Sequence, residues 1–267
     1  MCRTGPADEE HVRRPCEVIS FCFFVLSGLV AMEPSMLDLS RIHSQKLATV
    51  PFKWAVIDKL YSAADAKALS QSYPQDNLKT VIGNDGEKGY RYQVRSLIHM
   101  GAEGITNIDR LSFAWRALAA DLLDPGYRHA MSSLTGLALA NAPMEVNLFH
   151  YGPGAWLGPH LDLKEKIMTH VLYFNEDWSK SSGGCLNILR SGDATDIEAT
   201  ILPVVENSVV LVRSESSWHS VSRVVANQQM SRRSVNVIFH APGSISTMWP
   251  PGDVPVLGGL TRDAAET

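Results

Sequence analysis

Two histidines and an aspartate in the second half of the chain have the residue types and spacing of a metal site. His160 and Asp162 are separated by one residue, and side chains at positions i and i+2 of a strand project from the same face. His219, on a distant strand, would complete one face of an octahedron. Two imidazoles and one carboxylate leave three metal positions open, as in the facial triad of non-haem Fe(II) sites. The His-x-Asp pair alone is a weak signal, because nine histidines produce such pairs by chance.

The residues around these three form an ordered pattern that is more specific than the pair. Its parts are Tyr151-x-x-Gly154, His160-x-Asp162, Leu172-Tyr173-Phe174-Asn175-x-x-Trp178, Gly183-Gly184-x-Leu186, Trp218-His219-x-Val221 and Arg232-x-Ser234. In this order, over residues 147–240, they resemble the prolyl-4-hydroxylase branch of the 2-oxoglutarate/Fe(II) dioxygenases, which includes the oxygen-sensing prolyl hydroxylases.

The resemblance implies a role for each matching residue. His160, Asp162 and His219 would bind Fe(II). Arg232 would bind the distal carboxylate of 2-oxoglutarate, since a guanidinium suits a carboxylate bidentately. Ser234 and Tyr151 would donate hydrogen bonds to the same carboxylate, and O2 would take the remaining metal position.

The implied activity is hydroxylation of an unactivated C–H bond with release of succinate and CO2. The substrate would be an amino acid, a peptidyl residue or a small metabolite, because the core motif does not choose among them. Related halogenases have Gly or Ala in place of the aspartate, so Asp162 favours oxygen insertion.

One position departs from the family, and two other functions stay open. Leu172 stands where the oxygen-sensing branch has the first of a tyrosine pair, so a usual hydroxyl partner of 2-oxoglutarate is missing there. The alternatives are a non-catalytic or oxygen/2-oxoglutarate-sensing jelly-roll binding protein, and a cupin-like metalloenzyme that does not use 2-oxoglutarate. Arg232-x-Ser234 argues against both, since neither needs a buried guanidinium. Arg233 should point to the opposite face of a regular strand.

Composition excludes several classes of protein. A hydrophobic fraction of 45% and a charged fraction of 19% are ordinary for a globular chain with a core, which excludes a mostly disordered or collagen-like protein. The formal charge of −4 gives no basic field, so nucleic acid is not an expected partner. Only Cys185 lies in the body of the chain, which predicts no disulfide framework and a cytoplasmic setting.

The amino-terminal extension, residues 1–35, is treated apart from the fold. Its apolar run from Val18 to Ala31 is shorter than the roughly 20 residues of a membrane-spanning helix. No transmembrane span is therefore predicted, although a basic flank before the run keeps export or anchoring open as an alternative. A natural start at Met32 or Met36 is another interpretation.

The remaining chain predicts a mainly β protein with flanking helices (α+β), in which amino-terminal helices support a double-stranded β-helix, or jelly roll. Residues 36–142 would be helical support and lid, 143–241 the catalytic core and 242–267 a Pro/Gly-rich tail, with 36–267 forming one domain. Helices are predicted from the capping box at Ser62, from Thr106 or Asn107, and after Asp124-Pro125. Strands are predicted at 52–57, 144–151, 167–175, 185–189, 208–212 and 234–240.

Residues 79–104 are rich in glycine and charge and predict a loop or hairpin. The segment carries Tyr90, Arg91, Tyr92 and Arg95. A lid of this kind would present its aromatic and cationic groups to the substrate, with Tyr90, Arg91 and Arg95 as the candidate contacts. Trp156 could also line the substrate pocket, and an ordinary solvated hairpin is the alternative interpretation. His150 and His170 are interpreted as structural histidines.

Overall fold

A computed structural model describes residues 1, 35–85, 88–225, 230–250 and 257–258. The apolar run at 18–31 and most of the predicted tail lie outside the described residues. Residues 34–267 group into one compact unit. Within the described residues, no helix has the length and apolar character needed to cross a membrane.

The described residues contain four α-helices, which alternate with the first strands and all lie before residue 144. They are α1 Leu39–His43, α2 Ala63–Gln71, α3 Phe113–Leu123 and α4 Pro125–Thr135. The capping box at Ser62 begins α2 as predicted, since the Ser62 hydroxyl accepts from the Asp65 amide. Asp124 caps α4, whose first residue is a proline, and Gly136 ends it at a φ of 75°.

The strands form a sheet of 11 strands in the described part of the chain, together with a separate two-stranded pair. Their bounds are β1 Trp54–Asp58, β2 Lys79–Asp85, β3 Lys88–Ile98, β4 Ile105–Thr106, β5 Met144–Tyr151, β6 Leu157–His160, β7 Lys166–Tyr173, β8 Leu186–Leu189, β9 Ile197–Ile201, β10 Asn207–Val212, β11 His219–Val221, β12 Arg232–His240 and β13 Leu257–Gly258. The large sheet runs β1-β10-β7-β12-β5-β3-β6-β11-β8-β9, with β2 paired to β3, and β13 pairs with β4.

This antiparallel sheet curls on itself and confirms the predicted jelly-roll core with flanking helices. The curl occurs at β3, which pairs with β5 along one part and meets β6 at the Tyr90–Leu157 position. One wall of the roll is therefore β1-β10-β7-β12-β5-β3, and the other is β6-β11-β8-β9.

Two sequence predictions need correction. The helix expected from Thr106 or Asn107 begins at Phe113, because Asn107 has a left-handed φ of 48° and Ser112 supplies the cap. The segment 79–104 contains a hairpin, β2–β3, as one of the two predicted forms, but it is neither a lid nor an ordinary solvated hairpin: β3 is an inner strand of the sheet with Val94, Leu97 and Ile98 fully buried.

The central strands β5, β7 and β12 each point alternate residues to opposite faces of the sheet. On β5, Met144, Val146 and Leu148 pack in the cluster that holds the helices, with Trp115, Leu118 and Leu122 of α3. Phe149 and Tyr151 belong to a second cluster inside the roll. The helices therefore cover one face of the larger wall and leave the other face to the interior.

Candidate active site

A cavity lies inside the roll, between its two walls. The larger wall contributes Glu145, Asn147, Phe149, Tyr151, Lys166, Thr169, Val171, Leu211, Arg232, Ser234, Asn236, Ile238 and His240. The smaller wall and its connections contribute Leu157, His160, Asp162, Leu186, His219 and Val221, while Tyr92, Thr247 and Met248 come from β3 and the segment after β12.

His160, Asp162 and His219 meet at this cavity. His160 ends β6 and His219 begins β11, and the two are register partners whose ring centroids lie 4.2 Å apart. One ligand atom from each of the three residues lies within 4.8 Å of the others. Asp162 follows the end of β6, so it does not share a strand face with His160 as the sequence suggested. The loop after β6 brings its carboxylate to the imidazoles instead.

Backbone carbonyls fix the orientation of both imidazoles. The Nδ1 atoms of His160 and His219 each lie 2.9 Å from a carbonyl oxygen, of Gly158 and Ser217 respectively. A carbonyl can only accept, so each Nδ1 carries the proton and each Nε2 keeps a free lone pair. Burial, together with nearby His219, lowers the pKa of His160 to about 3, which keeps this imidazole neutral.

The Asp162 carboxylate is ionised and held from two sides. Lys166 Nζ lies 2.9 Å from Oδ1, and the Thr169 hydroxyl donates to Oδ2 at 3.1 Å. Burial opposes ionisation, but the Lys166 ammonium beside it holds the pKa of Asp162 well below its usual range. Two imidazoles and one carboxylate are the donor set of a facial Fe(II) site, so these residues fit that metal.

Arg232 supplies a buried positive charge at the inner end of the same cavity. Its side chain is 2% exposed and donates to Gly184 O at 2.7 Å and to Ser234 Oγ at 2.9 Å. The rings of Tyr151 and Tyr173 lie 4.9 and 5.2 Å from its guanidinium carbon. No carboxylate in the described residues forms an ion pair with it. A buried cation without a counter-charge is costly, so the site fits an anionic ligand such as the distal carboxylate of 2-oxoglutarate.

The glycine pair before β8 shapes the surroundings of Arg232. Gly184 has a φ of +66°, and a Cβ there would lie 3.2 Å from the Arg232 Cδ atom. A Cβ at Gly183 would lie 2.0 Å from the Arg223 carbonyl oxygen. Only glycine suits both positions, and the turn places the Gly184 carbonyl where Arg232 can donate to it.

Tyr173 is a candidate that the sequence reading missed. Strand alternation turns Leu172 into the cluster that holds the helices, whereas Tyr173 pairs in register with Ser234 and lies beside Arg232. The buried Tyr173 hydroxyl makes no hydrogen bond within the described residues. Burial raises its pKa to about 12, so the hydroxyl stays a donor. The hydroxyl expected to be missing at position 172 is therefore available one residue later.

The four residues predicted to contact the substrate lie in different parts of the structure. Arg95 is 1% exposed and pairs with Asp76 at 3.3 Å on the far side of β3, so its proposed lid role does not fit its position. Arg91 is exposed, and Tyr90 lies at the junction of β3 and β6. Trp156 stacks on Arg223 at 3.9 Å and is absent from the residues that line the cavity.

Tyr92 is the residue of this hairpin that does line the cavity, with its ring centroid 5.4 Å from that of Tyr151. The sequence named it only as part of the loop, because the register that turns alternate residues inward depends on pairing with β5 and β6.

His150, His170 and Arg233, which were not predicted as site residues, lie on the face of the sheet opposite the cavity. His170 contacts the hydroxyls of Tyr127 and Ser208 at 2.9 and 3.0 Å. His150 contacts Pro74 O at 2.8 Å, and Arg233 donates to Ser70 O at 3.1 Å. Each is held by the support layer and not by the cavity.

Comparison with known proteins gives a family match and several similar folds. The family model described as the 2OG-Fe(II) oxygenase superfamily, in which 2OG is 2-oxoglutarate, matches residues 146–240. No curated protein matches the chain. A prolyl-4-hydroxylase from Pseudomonas putida is 23% identical with a TM-score of 0.51, covering 70% of this chain and 91% of its own.

A prolyl hydroxylase from Trichoplax adhaerens, solved with a hypoxia inducible factor peptide fragment, is 13% identical with a TM-score of 0.52. That match covers 77% of this chain and 87% of the other. These structures share the fold, and the matched segment contains all three residues of the candidate metal site. The family uses Fe(II), 2-oxoglutarate and O2. The segment 146–240 therefore belongs to the 2OG-Fe(II) oxygenase superfamily, in a chain with the fold of prolyl-4-hydroxylases.

Proposed function

We propose that this protein is a hydroxylase that inserts oxygen into an unactivated C–H bond of an amino acid, a peptidyl residue or a small metabolite. The observation that supports this most is the placement of two complementary features in one cavity. The His160, Asp162 and His219 ligand atoms converge within 4.8 Å, and the buried, unpaired Arg232 lines the same cavity. A metal centre and an anion site in one enclosed space suit a metal-dependent reaction with an acidic co-substrate.

The three ligands would hold Fe(II), which with O2 supplies the chemistry that couples decarboxylation of 2-oxoglutarate to oxidation of the substrate. Arg232, Ser234 and Tyr151 would bind the distal carboxylate and so orient the co-substrate toward the metal site. The Nδ1–carbonyl contacts of both histidines would keep their Nε2 atoms aimed at the metal. Lys166 and Thr169 would hold the Asp162 carboxylate in its ionised form.

The cavity walls would exclude water from the reaction. Val171, Leu186, Leu211 and Val221 line it between the polar groups. An apolar enclosure protects a reactive species and strengthens the ionic contact of Arg232 with its ligand. In this account the protein binds, orients and shields, while the metal supplies the oxidation.

Two other functions make different use of the same cavity. A jelly-roll sensor would bind 2-oxoglutarate without turnover, and a cupin-like metalloenzyme would bind a metal without 2-oxoglutarate. Arg232 has no carboxylate partner in the described residues, and this buried charge favours the hydroxylase over the cupin-like enzyme. We also infer a cytoplasmic setting, because Cys185 is a free, buried thiol in the described body of the chain.

Succinate release separates the three functions. The purified protein is loaded with Fe(II) without oxygen, mixed with 2-oxoglutarate and exposed to O2, and succinate is measured over time. Binding of 2-oxoglutarate is measured in parallel by calorimetry. We expect both binding and succinate release. Binding without succinate release would favour the sensor. The absence of both binding and succinate release would contradict the hydroxylase.

A further inference from the structure

The end of the cavity away from Arg232 holds a buried carboxylate that the iron and 2-oxoglutarate roles do not use. Glu145, on β5, is 3% exposed and lines the cavity. The Ser246 hydroxyl donates to its Oε1 at 2.6 Å. Burial opposes its ionisation, but His240 and Ser246 lower the pKa of Glu145, so it carries a negative charge. In the described residues, neither lysine nor arginine forms an ion pair with it.

The other oxygen of Glu145 is left without a hydrogen bond. Oε2 lies 3.5 Å from His240 Nε2, and neither ring nitrogen of His240 has a hydrogen-bond partner in the described structure. Lys166, the nearby cation of the cavity, is instead 2.9 Å from Asp162. A buried carboxylate in this state needs a donor, and a charged one compensates its desolvation best.

Asn147 adds an unsatisfied donor two residues away on the same face of β5. Its Oδ1 accepts from the Trp249 indole at 2.8 Å, and an indole can only donate, so the amide orientation is fixed. The Asn147 Nδ2 atom is buried and has no partner. An anionic or carbonyl oxygen would satisfy this donor. The Cα atoms of these two residues are roughly 7 Å apart along one strand, at about 3.4 Å per residue, so a negative acceptor and a free donor lie on neighbouring positions of one face.

The register of the sheet puts this pair beside the metal ligands and away from Arg232. Glu145 pairs with Ile238, which pairs on its other side with Thr169, the residue that donates to Asp162. Arg232 pairs with Tyr151, at the opposite end of β5. The co-substrate and the Glu145–Asn147 pair thus occupy different ends of the cavity. Thr247 and Met248 also line the cavity, and buried Ser246 and Trp249 hold the segment between them over Glu145 and Asn147.

We propose that Glu145 and Asn147 form the substrate subsite, and that the substrate is a free α-amino acid. Glu145 accepts from its ammonium group, and Asn147 Nδ2 donates to its carboxylate. This inference rests on the proposed hydroxylase function and narrows its substrate to one of the three classes. A peptidyl residue has no free ammonium and carboxylate on the same carbon, so its backbone could not contact Glu145 and Asn147 in this way.

Ligand binding tests the subsite without reference to turnover. The protein is loaded anaerobically with Fe(II) and 2-oxoglutarate and titrated with each proteinogenic amino acid and with its Nα-acetyl form. Acetylation removes the ammonium charge and changes little else near the carboxylate. We expect at least one free amino acid to bind and its acetyl form to bind about ten- to hundredfold more weakly, as for a lost charge-assisted hydrogen bond. Equal binding of the two forms, or no binding by any amino acid, would overturn the subsite.

Glu145→Gln removes the charge at nearly constant shape. It should weaken binding of the same amino acid about ten- to hundredfold and leave binding of 2-oxoglutarate unchanged. Glu176→Gln, an exposed position, is the matched control and should bind as the parent does. Parent-like affinity in Glu145→Gln contradicts the proposal. If that variant does not fold, the acetylated ligands on the parent protein still decide the question.

Unstimulated succinate release from the parent protein separates the two proposals. If the protein releases succinate but binds no amino acid at any concentration tested, the subsite is overturned and the hydroxylase proposal stands. Amino acid binding that depends on Glu145, without succinate release, would overturn the hydroxylase and support the subsite.

Discussion

The two faces of strands β5, β7 and β12 place their polar groups in different surroundings, the support layer on one side and the cavity on the other. His170 points to the helices, and both of its ring nitrogens contact hydroxyls, of Tyr127 and Ser208. His240 points to the cavity, and neither of its ring nitrogens has a partner in the described structure. Both histidines are buried. The face toward the helices satisfies its histidine internally, whereas the face toward the cavity leaves its histidine open to a ligand.

Arg232 and Arg233 occupy different surroundings at adjacent positions, although neither has an anionic partner in the described residues. The Arg233 guanidinium donates to Ser70 O and lies 5.7 Å from the Tyr73 ring, within the support layer. Arg232 has no anionic partner in the described residues, although it is almost fully buried. Buried groups without partners cost free energy. Such groups occur both beside the cavity, at Asn147, Tyr173 and His240, and in the support layer, at Ser70 and Arg233. Only those beside the cavity lie where a bound ligand could supply the missing partner.

The largest expected effect comes from removing a metal ligand on the cavity face. Asp162→Ala should abolish succinate release, because one of three ligands and the balancing negative charge are both lost. The metal-free variant should unfold at a lower denaturant concentration than the parent, because the lowered pKa of Asp162 means that its carboxylate stabilises the fold, and its removal leaves Lys166 without a partner. Fe(II) binding and chemical denaturation measure the two halves of this prediction. Parent-like succinate release would refute the assignment of the ligand.

A substitution on the face toward the helices should lower stability without changing ligand binding. Leu148 is fully buried beside α3 residues and does not line the cavity. Leu148→Ala should lower the free energy of unfolding by about 2–5 kcal/mol. The affinity for 2-oxoglutarate should stay near that of the parent at temperatures where the variant is folded. A large loss of affinity without loss of stability would show that the two faces are not separable.

Arg232 and Arg233 allow the two faces of the sheet to be compared within one strand. Arg232→Lys replaces the planar fork with a point charge and should weaken 2-oxoglutarate binding by about 1.5–3 kcal/mol, or about ten- to hundredfold. Arg233→Lys, the matched control, should change that affinity little, because its side chain contacts the support layer. Calorimetry of both variants gives the comparison directly. The opposite order of effects would assign the anion site to Arg233.

The sequence predicted the jelly roll and brought His160, Asp162 and His219 together, because short motifs in a fixed order carry that information. It did not predict that Asp162 follows β6 or that β3 is an inner strand. Both depend on pairing between distant segments. A pattern of alternating residues shows that a strand has two faces, but it does not show which face is enclosed.

Glu145 and Asn147 illustrate this limit. In the alternating segment 144–151 their polar side chains are typical of a solvent-facing side, yet both are buried and line the cavity. Only the closure of the roll, with Ser246 and Trp249 packed against them, turns that side inward. Position 172 was likewise misread, because the face to which Leu172 points depends on its pairing with Val235.

The smallest effect is expected from the hydroxyl next to Leu172. Tyr173→Phe removes a buried donor that has no partner in the described structure. Its removal should leave the stability of the ligand-free protein unchanged or slightly higher, because no hydrogen bond is lost. If the hydroxyl donates to 2-oxoglutarate, the affinity should fall by about 0.5–1.5 kcal/mol, or about two- to tenfold. Leu172→Met is the control on the opposite face, and calorimetry with thermal unfolding measures both variants. Unchanged affinity in Tyr173→Phe would leave Arg232, Ser234 and Tyr151 as the carboxylate site without this tyrosine.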